Sequence, residues 1–556
     1  MNCYIRLTTL AACLMLCAAA AQAQDNGYKP MDDVNKVVDL TLDSLEKVKT
    51  ARPEAGSSRV GDNPVLFLVG NSTMRTGTKG NGDNGQWGWG FFEHHYFDAS
   101  KITVENQALG GTSSRTFYTQ LWPDVKKGIR PGDWVIIELG HNDNGPFDSG
   151  RCRATIRGIS STDSLVVTLK EGPNKGLQET VYSYGEYMRR FVRETRALGA
   201  HPILMSLTPR KSPLPDGGGA GWQPVRVADS FGGWAKQVAE ELNVPFIDLN
   251  EISAAKYDAM SSWKLNYHFY LDNIHTSKFG AELNARSAAE GLMACQHPEL
   301  QPLKAMMQNI ALPTTSVKRE KGKPVVFITG DSTVKNTDRD TTGMWGWGSQ
   351  AWRIFDENKI TYINCAQAGR SCRTYLREGR WEKVYNDLQP GDFVLIQFGH
   401  NDIGELHRGK HRGDIPGVAD TSCVSRVVLK DEAYNEVVYS FGWYLRKMID
   451  DCCEKGATPI IVSLTPRNEW PDGKHIERRN DSYGQWYRAV AEQTGTTFLD
   501  LHNITADALD AIGPEATRAY YCGDHTHTSL RGARLNALGI AIGLRRSGSP
   551  LANYLK

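Results

Sequence analysis

One block of sequence occurs twice in this chain, and each copy is followed by the same further blocks in the same order. The first copy opens Val65-Leu66-Phe67-Leu68-Val69-Gly70-Asn71-Ser72-Thr73, and the second opens Val325-Val326-Phe327-Ile328-Thr329-Gly330-Asp331-Ser332-Thr333. Far downstream, the copies close with Asp272-Asn273-Ile274-His275-Thr276 and Asp524-His525-Thr526-His527-Thr528. A period of about 260 residues is too long for a solenoid repeat and implies duplication of a whole domain. Length agrees, since 556 residues exceed what one core serves, and two units of about 240 fit the usual domain range.

Between these blocks, short apolar runs alternate with longer amphipathic stretches, the pattern of a parallel sheet with crossover helices. The runs are 65–69, 134–139, 202–207 and 244–249 in the first copy, and 325–329, 393–398, 459–464 and 496–501 in the second. The expected organisation is a signal peptide at 1–23, a leader at 24–60, domains at 61–310 and 324–556, and a linker at 311–323. The linker follows from Pro313-Thr314-Thr315-Ser316 and the basic stretch after it. In the leader, Val34, Val37, Val38, Leu40, Leu42, Leu45 and Val48 stand at helical spacing. They predict a helix that packs on a domain or serves as a coiled-coil or docking helix.

Arg6, the apolar run Leu7 to Leu16 and Ala21-Gln22-Ala23 form an export signal, so the mature chain is expected in the periplasm or secreted. Lipidation at Cys13 is the competing reading, and a retained membrane span is disfavoured by the short apolar run. Eight of the eleven cysteines remain after cleavage, in a compartment that permits disulfides, without a spacing that fixes their pairing or suggests zinc. With 64 basic against 63 acidic residues, nothing points to nucleic acid. Oligomeric state is left open.

Ser72 and Ser332 each follow an apolar strand and a glycine, at a strand-to-helix turn on the carboxyl edge of a sheet. Alone, such a serine is more readily a helix cap. Three further blocks make it a candidate nucleophile. Asn106 to Thr116 and Asn364 to Thr374 bring Gly111 and Gly369, whose bare backbone N–H can approach a substrate oxygen. Gly140-His141-Asn142-Asp143 and Gly399-His400-Asn401-Asp402 bring an amide that can donate to an oxyanion. Asp272 with His275, and Asp524 with His527, have the spacing for a carboxylate to orient an imidazole base.

Ser, Gly, Asn and His in this order, twice over and at closely matched intervals, resemble the SGNH (GDSL-like) hydrolase superfamily. The resemblance implies two tandem flavodoxin-like α/β/α domains with parallel central sheets, no metal or other cofactor, and acyl transfer through a serine ester. It implies Ser72 and Ser332 as nucleophiles, His275 and His527 as bases, and Asp272 and Asp524 as orienting acids. The oxyanion hole would use the N–H of each serine, Gly111 or Gly369, and the side chain of Asn142 or Asn401. Within the superfamily, the second copy is most similar to rhamnogalacturonan acetylesterases, through Gly330-Asp331-Ser332-Thr333, Ala368-Gly369-Arg370-Ser371, Thr465-Pro466-Arg467-Asn468 and Asp524-His525-Thr526-His527-Thr528. The first copy departs at Asn71, Thr112 and Asn273-Ile274, and loss of a carboxylate at position 71 is expected to weaken the nucleophile loop.

Trp87, Trp89, Trp345 and Trp347 follow the nucleophiles and either stack on sugar rings or serve the core. Arg115, Arg210, Arg373 and Arg467 either meet uronate carboxylates or brace loops. The expected substrate is an acetylated polysaccharide or oligosaccharide, pectic rhamnogalacturonan first. Acetylated xylan, sialic acid or a lipid ester is the alternative, and one domain serving only as a carbohydrate-binding module is another.

Overall fold

Val65–Gly70 is apolar at every position but the last, so a strand there has no face to give to solvent, and all six of its residues are buried. The computed structural model describes residues 53–76, 86–171, 174–215, 221–270, 272–335, 342–429 and 433–556. The expected signal peptide, Cys13 and the leader helix lie outside them. The chain divides into two units, with the break between Leu312 and Pro313.

In the first unit, β1 (Val65–Gly70), β2 (Thr103–Asn106), β3 (Trp134–Glu138), β4 (His201–Met205) and β5 (Phe246–Ile247) form a parallel sheet in the order β2-β1-β3-β4-β5. The second unit repeats it with β6 (Val325–Gly330), β7 (Thr361–Asn364), β8 (Phe393–Gln397), β9 (Thr458–Val462) and β10 (Thr497–Leu499), in the order β7-β6-β8-β9-β10. This is the flavodoxin-like arrangement, with the strand order reversing beside the first strand, and in such sheets ligands bind beyond the carboxyl ends at that reversal. Ser72 and Ser332 follow β1 and β6 directly.

Helices cover both faces. In the first unit, α1 (Ser114–Gln120), α2 (Tyr184–Ala197) and α3 (Phe231–Leu242) send Phe117, Tyr187, Phe191, Phe231 and Val238 against Val65, Phe67 and Val69. On the other face, α4 (Leu249–Asp258) and α5 (Lys278–Ala294) pack Leu249, Ala281, Ala285, Ala288 and Leu292 against Leu66, Leu68 and Ile136. The small-residue face of α5 lets that helix lie close to the sheet. A Cβ on Gly291 would stand 2.4 Å from Ile247 Cγ2. Since α5 begins just after His275, close packing of the helix also fixes where the histidine stands.

The second unit has the same layers, with α6 (Cys372–Arg377), α7 (Phe441–Glu454), α8 (Tyr483–Thr494), α9 (Leu501–Ile512) and α10 (Leu530–Ser547). Ala537, Ile540, Ala541 and Leu544 of α10 cover Val326, Ile328 and Leu395. All eight cysteines among the described residues are free thiols. No helix among these residues is long and apolar enough to cross a membrane.

Candidate active site

The nucleophile turn is held by short-range polar contacts in both copies. Asn71 Oδ1 accepts from Thr73 N and Thr73 Oγ1, both at 3.0 Å, and Asp331 Oδ1 accepts the same pair from Thr333 at 2.8 Å each. The change to Asn71 keeps both contacts, because an amide oxygen serves as acceptor where the second copy has a carboxylate oxygen.

His275 Nε2 lies 2.8 Å from Ser72 Oγ, and its Nδ1 lies 2.6 Å from Asp272 Oδ2. In the second copy, His527 Nε2 lies 2.9 Å from Ser332 Oγ, and Nδ1 lies 2.6 Å from Asp524 Oδ2. The other carboxylate oxygen is used locally. Asp272 Oδ1 accepts from the N–H of Ile274 and His275, and Asp524 Oδ1 from those of Thr526 and His527. Burial acts to raise both carboxyls, but the hydrogen bonds and charge of the adjoining histidine outweigh it and hold them below the usual range. Each remains an anion able to stabilise an imidazolium.

The Asp-x-x-His unit is a local device that needs no active site. Asp472 and His475 in an exposed loop make the same set of bonds, Nδ1 to Oδ2 at 2.7 Å and His475 N to Oδ1 at 2.7 Å. What the fold adds at His275 and His527 is the serine.

Gly111 and Gly369 sit at φ +82° and +75°, a left-handed conformation that favours glycine. Among the described residues, the N–H groups of Ser72, Gly111, Ser332 and Gly369 donate to no protein acceptor. Asn142 Nδ2 donates to Thr112 O at 3.0 Å and Asn401 Nδ2 to Arg370 O at 3.2 Å, which uses one of two amide hydrogens and leaves the other. Each copy thus brings a carboxylate, an imidazole and a serine hydroxyl together with three spare donors. His141, beside Asn142, is no rival base: burial, then Arg210 and His275, lower its pKa to about 3.

The expected sugar-facing residues are mostly elsewhere. Trp87, Trp89 and Trp347 are fully buried and offer no face for stacking, while Trp345 is half-buried. Their segment is a clamp. Trp89 N donates to Thr73 O and Trp87 N to Thr276 O, and Trp347 N and Trp345 N repeat this with Thr333 O and Thr528 O. A Cβ on Gly88 would stand 2.4 Å from the Met74 backbone, so the glycine lets the clamp close onto the nucleophile turn. The segment ties the serine turn to the histidine loop.

Arg115 and Arg373 are likewise enclosed, not substrate-facing. Arg115 pairs with Glu179 at 2.9 Å and donates to Phe147 O and Ala154 O, while Arg373 donates to Leu406 O and Gly413 O. Arg210 is half-buried and spends two donors on His141. Arg467 is half-buried, its Nε without a partner among the described residues.

Sequence reasoning passed over Arg153 and Arg412. Arg153 Nη1 donates to Gly111 O at 3.1 Å, and Arg412 Nη1 to Asn401 Oδ1 at 2.8 Å. Their signal was present: each follows its Asn-Asp block at the same interval. Among the described residues, one buried trio, Cys372, Asp402 and Asp414, has potential ligand atoms within 4.8 Å of one another. It belongs to no reacting group of the site.

The GDSL-like Lipase/Acylhydrolase family model matches residues 68–283 and again 328–535. The chain is 33% identical over 234 residues to the rhamnogalacturonan acetylesterase of Emericella nidulans, covering 42% of this chain and 89% of that protein. It is 29% identical over 249 residues to rhamnogalacturonan acetylesterase RhgT of Bacillus subtilis, covering 42% and 95%. Among solved structures, the acetylxylan esterase Axe2 from Geobacillus stearothermophilus is similar over 42% of this chain and 94% of its own, at 20% identity and a TM-score of 0.27. The chain belongs to the GDSL-like lipase/acylhydrolase family, whose pattern it carries twice, and is a carboxylic ester hydrolase.

Proposed function

We propose that the protein is an exported carbohydrate esterase that removes acetyl groups from pectic polysaccharide at two serine sites. The observation that carries the reading is the doubled relay, Ser72–His275–Asp272 and Ser332–His527–Asp524, with the serine within hydrogen-bond reach of the base in each copy. Similarity to rhamnogalacturonan acetylesterases of two organisms supports the substrate class.

In each site the histidine Nε2 takes the serine proton as Oγ attacks the acetyl carbon, and the aspartate steadies the imidazolium. The oxyanion forms against the serine and glycine N–H groups and the asparagine amide, donors that on other hydrolases are worth about 100- to 1,000-fold each. The sugar hydroxyl leaves with the proton from histidine. Water activated by the same nitrogen then releases acetate from the acetyl-serine.

The test is acetate release from acetylated rhamnogalacturonan and from acetylated xylan by the intact chain, Ser72→Ala, Ser332→Ala and the double variant. Two working pectin sites predict partial activity in each single variant and none in the double. If one single variant is inactive, the other copy has a different substrate or only binds. Release from xylan alone overturns the pectic assignment.

A further inference from the structure

In each copy a guanidinium lies over the oxyanion-hole glycine. A Cβ built on Gly111 would fall 2.5 Å from Arg151 Nη1 and 3.9 Å from Arg153 Nη1, and one on Gly369 would fall 2.9 Å from Arg412 Nη2. Arg153 and Arg412 occupy equivalent places and are half-buried, whereas Arg151 is exposed.

None of the three has a carboxylate within ion-pair distance among the described residues. Asp143 faces Arg153, but its oxygens already accept from Ser114 N, Ser114 Oγ and Thr155 Oγ1. Glu378 faces Arg412 and is taken by Arg370 at 3.0 Å and Arg380 at 2.6 Å. Burial lowers the pKa of Arg153 and Arg412, and the next cause in each case is another arginine, Arg151 or Arg370. Positive charge is thus gathered at the rim of both oxyanion holes beyond what the protein's own acids neutralise. Elsewhere the fold does pair its enclosed arginines, as with Arg115 and Glu179.

We propose that Arg153 with Arg151, and Arg412, form a carboxylate subsite in each copy that recognises an acidic sugar at or beside the acetylated one. This rests on the pectic reading above and specifies it: the charged group recognised is a uronate. A guanidinium with free donors matches a carboxylate in forked geometry, and a site beside the oxyanion hole engages it as the ester carbonyl enters. One donor of Arg153 and one of Arg412 are committed to the hole itself, at Gly111 O and Asn401 Oδ1. A bound uronate would therefore brace the groups that stabilise the transition state.

The test uses the full chain with one site silenced, Ser332→Ala to read the first copy and Ser72→Ala to read the second. Arg151→Gln/Arg153→Gln and Arg412→Gln are compared on acetylated rhamnogalacturonan and on chemically acetylated galactan, its neutral counterpart. The expected result is a fall of about tenfold in the ratio of kcat/KM for the acidic over the neutral polymer, equivalent to about 1.4 kcal/mol of discrimination. The ratio should also fall with added salt. An equal loss on both polymers overturns the subsite and leaves the arginines as positioning residues. A second readout needs neither an active polymer substrate nor a variant: inhibition of p-nitrophenyl acetate hydrolysis by oligogalacturonate against neutral galacto-oligosaccharide. Stronger inhibition by the acidic oligomer supports the subsite even if acetate release from pectin fails, and equal inhibition overturns it while leaving the pectic reading intact.

Discussion

The two copies place one buried carboxylic acid beside the nucleophile turn, but at different positions. In the first copy position 71 is Asn and the acid is Glu138, at the end of β3. In the second copy the acid is Asp331, next to the serine, and the end of β8 carries Gln397. The register makes the positions equivalent, since Gly70 pairs with Glu138 and Gly330 with Gln397. Glu138 receives Thr73 Oγ1 at 3.2 Å, Thr208 N at 3.3 Å and Trp89 Nε1 at 3.5 Å. Gln397 accepts from Trp347 Nε1 at 2.6 Å and donates to Ser463 O at 2.5 Å. The atoms that distinguish Asn from Asp, Asn71 Nδ2 and Asp331 Oδ2, are both buried without a partner among the described residues. The pocket therefore takes one acid and one amide in either order, and its limit is one charge in a space with little water.

The strongest way to break this comparison is to put two acids in one pocket. Asn71→Asp leaves Glu138 in place, so above pH 8, where Glu138 ionises and the pocket would hold two charges, the first unit should lose about 4 kcal/mol of stability, in the range for an uncompensated buried charge. The double variant Asn71→Asp/Glu138→Gln recreates the second copy's pair and should recover most of it. Thermal melting decides, together with esterase rate in a Ser332→Ala background. If the single variant melts with the wild type, the one-acid rule is wrong.

A second test reads the charge by titration. Burial pushes the Glu138 carboxyl up to about 8, against hydrogen bonds from Thr208, Trp89 and Thr73. The titratable neighbour facing it is His141, 3.8 Å away and held neutral. Unfolded, the carboxyl loses its proton near its ordinary value of 4.5. Its stabilisation is thus fully present below that pH and is lost as pH rises through about 8, a fall of roughly 2 kcal/mol between pH 6 and pH 8. Glu138→Gln should flatten that part of the melting-temperature curve, and an unchanged slope would show that Glu138 is already ionised in the native state.

The strand-end positions of Ser72, Gly111, Asn142 and His275 were legible because each follows a local cue, an apolar run or a turn, and the duplication repeated every cue. The sheet was legible because β1, β3, β6 and β8 are apolar along nearly their whole length, with polar residues only near the carboxyl ends, which marks strands covered on both faces. The fate of Trp89, Trp347, Arg115 and Arg373 was not legible. An aromatic beside a nucleophile reads alike whether it faces a sugar or the core, and that choice depends on how closely Gly88 and Gly346 let the clamp approach. The Asn71 and Glu138 exchange was hidden for a related reason: its two halves are far apart in sequence, and only strand register brings them together.

The smallest expected effect concerns the layer beneath the oxyanion loops. In the first copy Asp143 accepts from two hydroxyls, Ser114 Oγ and Thr155 Oγ1. In the second copy the corresponding residues are Cys372, Asp402 and Asp414, all buried, with Asp402 Oδ2 and both Asp414 oxygens lacking donors among the described residues. Burial raises both carboxyls, and the charge and hydrogen bond of Asp402 raise Asp414 further, while hydrogen bonding from Cys372 and Asp414 acts to lower Asp402. A raised native pKa means the folded state keeps a proton that the unfolded chain releases, so this contribution is present below the ordinary carboxyl range and declines as pH rises above it. Asp414→Thr supplies the donor that Thr155 supplies in the first copy and removes one acid. The second unit should gain about 1 kcal/mol at pH 8, with the gain shrinking toward pH 4 in melting curves taken across that range. A variant less stable than wild type at every pH would overturn this, since Asp414 would then stabilise the fold more than the threonine hydroxyl in its place.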